Sequence, residues 1–254
     1  MAEKVLVELR DGITIITINR PEARNAVDRE VSYGVCEALD AFEADPEQQV
    51  AILTGAGGNF CSGMDLKAFV RGEAIRVDGR GLLGLVYTPP QKPIIAAVEG
   101  YALAGGFESA LACDMIVAAN NARFGLPEVK RGLVAAAGGL VRLPRSIPSR
   151  IAMEMVLTGD FYDASYLQSF GLINQLVEPG EALEASVKLA QRIVPNAPRS
   201  VRVSKEVVNG QRSWTDEESF IRQNQIVGDL LSSADAKEGA TAFAEKRKPR
   251  WQGR

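Results

Sequence analysis

Histidine is absent from this chain of 254 residues, and cysteine occurs only three times. Without an imidazole, a Ser-His-Asp or Cys-His nucleophile system cannot be built, and neither can a zinc site that depends on a helical histidine pair. Cys36, Cys61 and Cys113 are widely spaced and odd in number, so they predict neither a disulfide framework nor a set of zinc ligands. Acid–base chemistry must therefore fall to Asp, Glu, Lys, Tyr or Cys.

Long apolar runs are also missing. No run approaches the roughly 18–20 residues of a membrane span, and the N-terminus, MAEKV, has no apolar signal region. We therefore expect a cytoplasmic protein that does not bind a membrane. The hydrophobic share of 46% and the charged share of 24% are those of an ordinary globular protein.

A strong positive charge is missing as well. The net charge is −3 and the pI is near 5.3, which argues against a nucleic-acid partner. Only the end of the chain, KRKPRWQGR at residues 246–254, is strongly basic. This tail is either a solvated terminus or a segment that contacts phosphate.

Complete nucleotide-binding motifs are absent too. The run GAGG at residues 55–58 does not continue as G-x-G-x-x-G, because residue 60 is Phe. Gly58 and Gly63 have the spacing of a P-loop, but Met64 stands where that motif requires Lys. Together with the missing histidines and cysteine pairs, this predicts that no metal and no cofactor is needed.

The hydrophobic pattern predicts an α/β protein. Strands are expected at residues 4–9 and 13–19, joined by a turn at Asp11-Gly12, and Asp28 is expected to cap the helix that follows. Further buried strands are expected at residues 50–53, 93–98 and 115–118. From about residue 149 the pattern is almost wholly helical, with segments at residues 150–158, 163–169, 181–194, 199–209, 215–232 and 234–245.

The most informative stretch is GYALAGGFE at residues 100–108. Gly105-Gly106 leaves bare backbone where a helix is expected to begin, so a ligand can approach main-chain N–H groups, and a helix N-terminus favours developing negative charge. Glu108 follows at once and Glu128 comes twenty residues later. The combination indicates a site for an oxyanion, with a general acid and a general base beside it.

Four segments resemble the crotonase family, also called the enoyl-CoA hydratase/isomerase family. They are FCSGMDLK at residues 60–67, GYALAGGFE at 100–108, FGLPE at 124–128 and FAEKR at 243–247. Within the family, the C-terminal ending and residues 124–144 resemble carnitinyl-CoA dehydratase-like members. The resemblance implies a crotonase-type spiral of repeated ββα units over residues 1–195, which holds a CoA-ester site. It also implies a helical region over residues 196–254 for trimerisation and CoA contact, in a homotrimer or hexamer.

The resemblance also implies roles for individual residues. The N–H groups of Met64 and Gly105 would bind the thioester oxygen, and Glu108 and Glu128 would face the reacting double bond. Residues 135–139 (AAAGG) resemble a helix start below the pocket, with close helix packing as the alternative. Where many relatives have a third glycine, this chain has Ala104, whose methyl group should narrow the pocket without removing the donor. The implied CoA contacts are Ala23, Arg24, Ser62, Asp65, Leu66, Phe243 and Lys246.

The implied function is reversible hydration of an enoyl-CoA thioester to a 3-hydroxyacyl-CoA, with coenzyme A as part of the substrate. Two alternatives stay open: a Δ3,Δ2-enoyl-CoA isomerase that uses Glu128 alone, and a non-catalytic crotonase-like binding protein. Residues 67–90 are expected to form the acyl-pocket wall, and the sequence does not identify the acyl group.

Overall fold

Two β-sheets organise the chain in a computed structural model, which describes residues 3–253. The larger sheet has the strand order β1-β2-β3-β4-β6-β9, and the smaller sheet has the order β5-β7-β8. The strands are β1 (Val5–Arg10), β2 (Ile13–Ile18), β3 (Val50–Gly55), β4 (Ile94–Val98), β5 (Tyr101–Leu103), β6 (Met115–Ala119), β7 (Arg123–Gly125), β8 (Tyr162–Asp163) and β9 (Gln175–Val177). The helices are α1 (Arg29–Ala44), α2 (Leu66–Val70), α3 (Gly105–Ala112), α4 (Gly139–Ser146), α5 (Ser149–Thr158), α6 (Ala164–Gln168), α7 (Ala182–Ala190), α8 (Pro198–Gly210), α9 (Asp216–Val227) and α10 (Ala234–Ala244).

The larger sheet is the centre of the hydrophobic core. Strand β1 pairs antiparallel with β2, as the predicted hairpin requires, and the remaining pairs are parallel. Parallel strands are usually covered on both faces and read as continuous apolar runs. Strand β4 has this character, since all five of its residues are buried. One face packs on the main core and the other on a smaller cluster that includes α7.

Helix α1 confirms the capping prediction. The N–H of Val31 donates to Oδ1 of Asp28 at 3.0 Å, which satisfies one of the helix's free donors. At the other end, the buried ammonium of Lys92 donates to the carbonyls of Phe42 and Asp45 at 2.7 and 2.6 Å. A cation at a helix C-terminus is stabilised by the free carbonyls there.

The chain departs from the predicted elements in three places. Short strands β5, β7, β8 and β9 were missed, because two or three residues carry too little alternation to identify. The segment predicted as a single helix at 215–232 is interrupted after Val227, since Gly228 adopts φ +46°. The predicted helix at 181–194 ends earlier, at Ala190.

The smaller sheet brings separate parts of the chain together. Strand β5 leads directly into α3 and pairs with β7, which ends just before Glu128. A bridge between Cys61 and Ala102 adds the 60–67 segment beside β5. Three of the four segments singled out in the sequence thus meet at one end of the fold.

The last three helices lie on the outside of the chain. Helices α8 and α9 have no fully buried residue, and Phe220, Leu231 and Phe243 are 74%, 81% and 88% exposed. Trp251 ties the C-terminal tail to the segment between α7 and α8 by donating Nε1–H to the Pro195 carbonyl at 2.7 Å. The predicted domain boundary at residue 195 stays a prediction. Within residues 3–253, no helix combines the length and apolarity needed to cross a membrane.

Candidate active site

Two backbone N–H groups lie side by side at the start of α3. Val27 donates to the Gly63 carbonyl at 2.8 Å, and Asp65 donates to the Val27 carbonyl at 2.9 Å, so the N–H of Met64 between them points to the opposite side. The N–H of Gly105, the first residue of α3, has no partner within its helix. A Cβ placed on Gly105 would lie 3.7 Å from the Met64 nitrogen. Among the hydrogen bonds of residues 3–253, neither N–H is a donor.

The backbone at Ala104 aims the Gly105 donor. Ala104 adopts φ +50° and ψ −129°, a conformation that glycine accepts and that strains other residues. Its N–H donates to the Gly125 carbonyl at 2.9 Å, which fixes the turn. The methyl group of Ala104 points at Gly63, where an added Cβ would lie only 2.8 Å from it. Ala104 therefore does not remove the Gly105 N–H as a donor. Its methyl group fills the space beside Gly63, which has no side chain of its own.

Glu108 lies in the first turn of α3, as predicted, and its side chain is 3% exposed. Its Oε1 accepts hydrogen bonds from the N–H groups of Ala137 and Gly139 at 2.7 and 2.9 Å. The pattern at residues 135–139 predicts a helix start below the pocket, or close helix packing, but not this contact with Glu108. The run of small residues was the available signal, because only small residues allow a backbone to approach a carboxylate so closely.

Glu128 has a different environment. It lies on a 3-10 turn, Pro127–Arg131, directly after β7. Its Oε2 is the one buried side-chain oxygen or nitrogen without a hydrogen-bond partner among residues 3–253. A buried carboxylate oxygen with no donor is costly when charged and much less so when protonated.

The two carboxyl groups therefore differ in how they hold a proton. Burial, together with the nearby charge of Glu108, raises the pKa of Glu128 to about 7. Burial also raises the pKa of Glu108, but the two N–H donors and the cations of Arg76 and Arg142 oppose the shift. Near neutral pH, Glu108 is therefore suited to be the base and Glu128 the acid.

A second group of predicted residues lies close to Met64. Ser62 donates its N–H to the Arg24 carbonyl at 3.0 Å and its hydroxyl to the Ala23 carbonyl at 3.4 Å. The guanidinium of Arg24 is exposed and lies 5.6 Å from the centre of the Tyr101 ring. These residues form one surface patch with an exposed cation, which suits a phosphate-bearing ligand.

Asp65 and Leu66 complete this patch at the start of α2. The Asp65 carboxylate accepts from the N–H groups of Lys67 and Ala68 at 2.9 and 3.2 Å, and it pairs with Arg20 at 3.0 Å. Its side chain is thus engaged within the fold, as are its N–H, which donates to the Val27 carbonyl, and its carbonyl, which accepts from Phe69. Leu66 is exposed.

Phe243 and Lys246 lie elsewhere, at the C-terminal end of α10. No hydrogen bond or ion pair within residues 3–253 links them to the patch around Ser62. A contact with a ligand in that patch of the same chain is therefore not built into the described fold. Within the same residues, no three Cys, Asp or Glu side chains are grouped so that they could hold a metal ion.

Comparison with known proteins agrees with this architecture, which is that of the crotonase fold. The family model for enoyl-CoA hydratase/isomerase matches residues 8–254. A carnitinyl-CoA dehydratase from Salmonella typhi is 43% identical over 262 residues, with all of both chains covered. The chain therefore belongs to the enoyl-CoA hydratase/isomerase family, which confirms the predicted family and fold.

Solved structures give the same result. An enoyl-CoA hydratase from Mycobacterium tuberculosis H37Rv is 56% identical with a TM-score of 0.98, over all of both chains. The enoyl-CoA hydratase EchA1 from Mycobacterium marinum is 55% identical with a TM-score of 0.98, also over all of both chains. A carnitinyl-CoA hydratase from Mycobacterium avium is 46% identical with a TM-score of 0.80 and the same coverage.

Proposed function

We propose that this enzyme catalyses the reversible hydration of a 2-enoyl-CoA thioester to a 3-hydroxyacyl-CoA. One observation carries the proposal: two carboxyl groups in contrasting environments lie at the same end of the fold as two N–H groups that donate no hydrogen bond within residues 3–253. Family membership supports it, as do the relatives named carnitinyl-CoA dehydratase and enoyl-CoA hydratase.

The paired N–H groups of Met64 and Gly105 suit the thioester oxygen. Attack of water on the β-carbon pushes electrons onto that oxygen and gives an enolate-like transition state. Two fixed donors stabilise the developing charge without reorganisation, and losing one such donor typically costs roughly 3–4 kcal/mol in the barrier.

The two carboxyl groups would divide the proton transfers. Glu108 takes a proton from water as the water oxygen bonds to the β-carbon, and the α-carbon of the enolate takes a proton from Glu128. Hydration leaves Glu108 protonated and Glu128 ionised, so one proton must return from Glu108 to Glu128 before the next turnover. The reverse sequence gives dehydration.

Coenzyme A would be bound as part of the substrate, with no separate cofactor or metal. The patch of Ala23, Arg24, Ser62, Asp65 and Leu66 is the proposed contact for the CoA moiety. Phe243 and Lys246 would reach it from a neighbouring subunit of a trimer or hexamer, since no hydrogen bond or ion pair among residues 3–253 links them to the patch in their own chain. A cytoplasmic location and the lack of a nucleic-acid partner stay predictions.

The decisive experiment replaces each carboxylate in turn. Glu108→Gln and Glu128→Gln should each lower kcat for enoyl-CoA hydration by roughly 10²–10⁴-fold, followed as loss of the absorbance of the conjugated thioester. The two losses should not add, because both groups act in one transition state. Full hydration by either single variant would contradict the proposal.

Exchange in heavy water separates the two roles and tests the isomerase alternative. A saturated acyl-CoA should still exchange its α-proton in Glu108→Gln but not in Glu128→Gln. An isomerase would instead retain double-bond migration in the Glu108→Gln variant. It would not hydrate an enoyl-CoA thioester. Wild-type protein that binds RNA tightly with a steep salt dependence, and turns over no thioester, would favour the non-catalytic alternative.

A further inference from the structure

Arg142 joins two parts of the site that are far apart in sequence. It lies in the first turn of α4, directly after the backbone that holds Glu108. Its Nη2 donates to the Val86 carbonyl at 2.5 Å. Its Nη1 lies 2.1 Å from where a Cβ on Gly138 would stand, so the guanidinium lies against the backbone of that glycine.

The far end of this link is residues 82–87, here called the wall segment. Leu85 and Val86 are fully buried, and a Cβ placed on Gly105 would lie 2.5 Å from Cδ2 of Leu82. The wall segment therefore packs directly against the Gly105 donor. Tyr87 makes a second connection by donating its hydroxyl to the Ala136 carbonyl at 3.1 Å.

The near end is the turn that binds Glu108. The N–H groups on both sides of Gly138, those of Ala137 and Gly139, donate to Oε1 of Glu108. Gly138 itself has φ +104°, and its carbonyl accepts from the Arg142 N–H at 2.9 Å. Arg142 thus contacts this turn through its backbone and its side chain together.

We propose that Arg142 is a positioning residue with two roles: it fixes Glu108 relative to the Gly105 donor by bridging the Glu108-binding turn to the wall segment, and it places a cation against that turn. The first role is geometric: a guanidinium has rigid, diverging donors, whereas an ammonium is a point charge on a flexible stem. The second is electrostatic, since the cation favours the charged form of Glu108. The kinetic part of this proposal rests on the proposed function.

Charged groups besides Arg142 also act on Glu108. The cations of Arg76 and Arg142 lower the pKa of Glu108, and the carboxyl of Glu128 lies near it. The groups that act on Arg142 are Glu108, Cys113, Arg145 and Arg212. Burial lowers the pKa of Arg142, but a guanidinium keeps its charge throughout the working pH range.

The test measures the titration of Glu108 directly. Full-length protein with ¹³C-labelled glutamate carboxyl groups is titrated by NMR, and the Glu108 signal is identified by its loss in Glu108→Gln. In Arg142→Met the Glu108 midpoint should rise by roughly 0.5–1 pH unit, and Arg142→Lys should restore it. Arg145→Met, an exposed cation on the same helix, is the matched control.

Turnover supplies the second readout. Arg142→Met should lower kcat roughly 10-fold or more through misplacement of the base. The acidic limb of the pH profile of kcat/KM should shift to higher pH, together with the Glu108 midpoint. Arg142→Lys should return the limb to its original pH and recover kcat only in part, because the bridge to Val86 is weakened.

A Glu108 midpoint in Arg142→Met that matches the Arg145→Met control would overturn the proposal, as would a fall in kcat with an unmoved acidic limb. If Arg142→Met does not fold, Arg142→Gln keeps a donor for Val86 without the charge and should show the same rise in the midpoint. The NMR measurement needs no turnover. A wild-type protein inactive on enoyl-CoA would therefore refute the proposed function and leave this test intact.

Discussion

Gly139 donates its backbone N–H to Oε1 of Glu108 at 2.9 Å, and a Cβ placed on Gly139 would lie 3.1 Å from that same oxygen. A side chain at position 139 would therefore crowd the carboxylate that the Gly139 N–H binds. A methyl group at this position would push the carboxylate away from the N–H donors of the turn. The orientation of the proposed base depends on the absence of a side chain thirty-one residues further along the chain.

We expect Gly139→Ala to lower kcat by roughly 10–100-fold, since a small displacement of a reacting group is costly. KM should change little, because the CoA patch is elsewhere. Gly239→Ala, on α10 against Trp251, is the control and should keep wild-type kinetics. Steady-state rates that are equal in the two variants would show that Glu108 does not need the Gly139 contact.

Glu128 should make stability depend on pH. Its folded pKa of about 7 lies above the value of about 4.3 for a free glutamate. Its contribution to stability is therefore complete below about pH 4 and is lost as pH rises through 7. Glu128→Gln lacks this titration, so it should gain roughly 1–3 kcal/mol relative to wild type between about pH 5 and about pH 8.

Urea unfolding of the two proteins at both pH values measures this difference. Glu206→Gln, an exposed position on α8, is the matched control and should track wild type. If the free energies of unfolding of Glu128→Gln and wild type differ by the same amount at both pH values, the Glu128 carboxyl is not held protonated by its surroundings.

Ala104→Gly should stabilise the protein. The strain of Ala at φ +50° is of the order of 1–3 kcal/mol, and glycine costs about 0.4–1 kcal/mol through the unfolded chain. The net expectation is a gain of about 0.5–2 kcal/mol in the free energy of unfolding. Ala102→Gly, at a buried position of β5, should instead lose about 1 kcal/mol. Thermal or urea unfolding compares them, and a loss in both variants would mean that Ala104 is unstrained.

Lys246→Ala should weaken substrate binding more than turnover. An exposed cation at the end of α10 can contact phosphate, remote from the reacting carbons, so KM should rise by about 5-fold with kcat nearly unchanged. Lys248→Ala, in the same basic tail, controls for the loss of general positive charge. A large drop in kcat with an unchanged KM would contradict the assignment.

The outer helices predict self-association. Phe220, Ile221 and Leu231 on or near α9 are 74%, 61% and 81% exposed, and a monomer rarely leaves a large contiguous apolar patch in water. We expect sedimentation velocity to give a trimer or hexamer at micromolar concentration. A single species at the monomer mass of 27.3 kDa would refute this.

The sequence determined the local features of the protein. The Asp11-Gly12 turn, the Asp28 cap and the apolar runs of the main sheet depend on neighbouring residues, so pattern alone predicts them. The absence of histidine and the motifs at residues 60–67, 100–108 and 124–128 restricted the chemistry to carboxylates beside exposed backbone. They also indicated the family.

Only the tertiary structure decided how those carboxylates behave. Nothing near Glu108 in sequence indicates that Ala137 and Gly139 hold it, or that Glu128 Oε2 is left without a partner. The bridge from Arg142 to Val86 likewise joins residues more than fifty positions apart. A pKa depends on burial and on charges brought close by folding, so the division between acid and base is set by contacts that no local pattern contains.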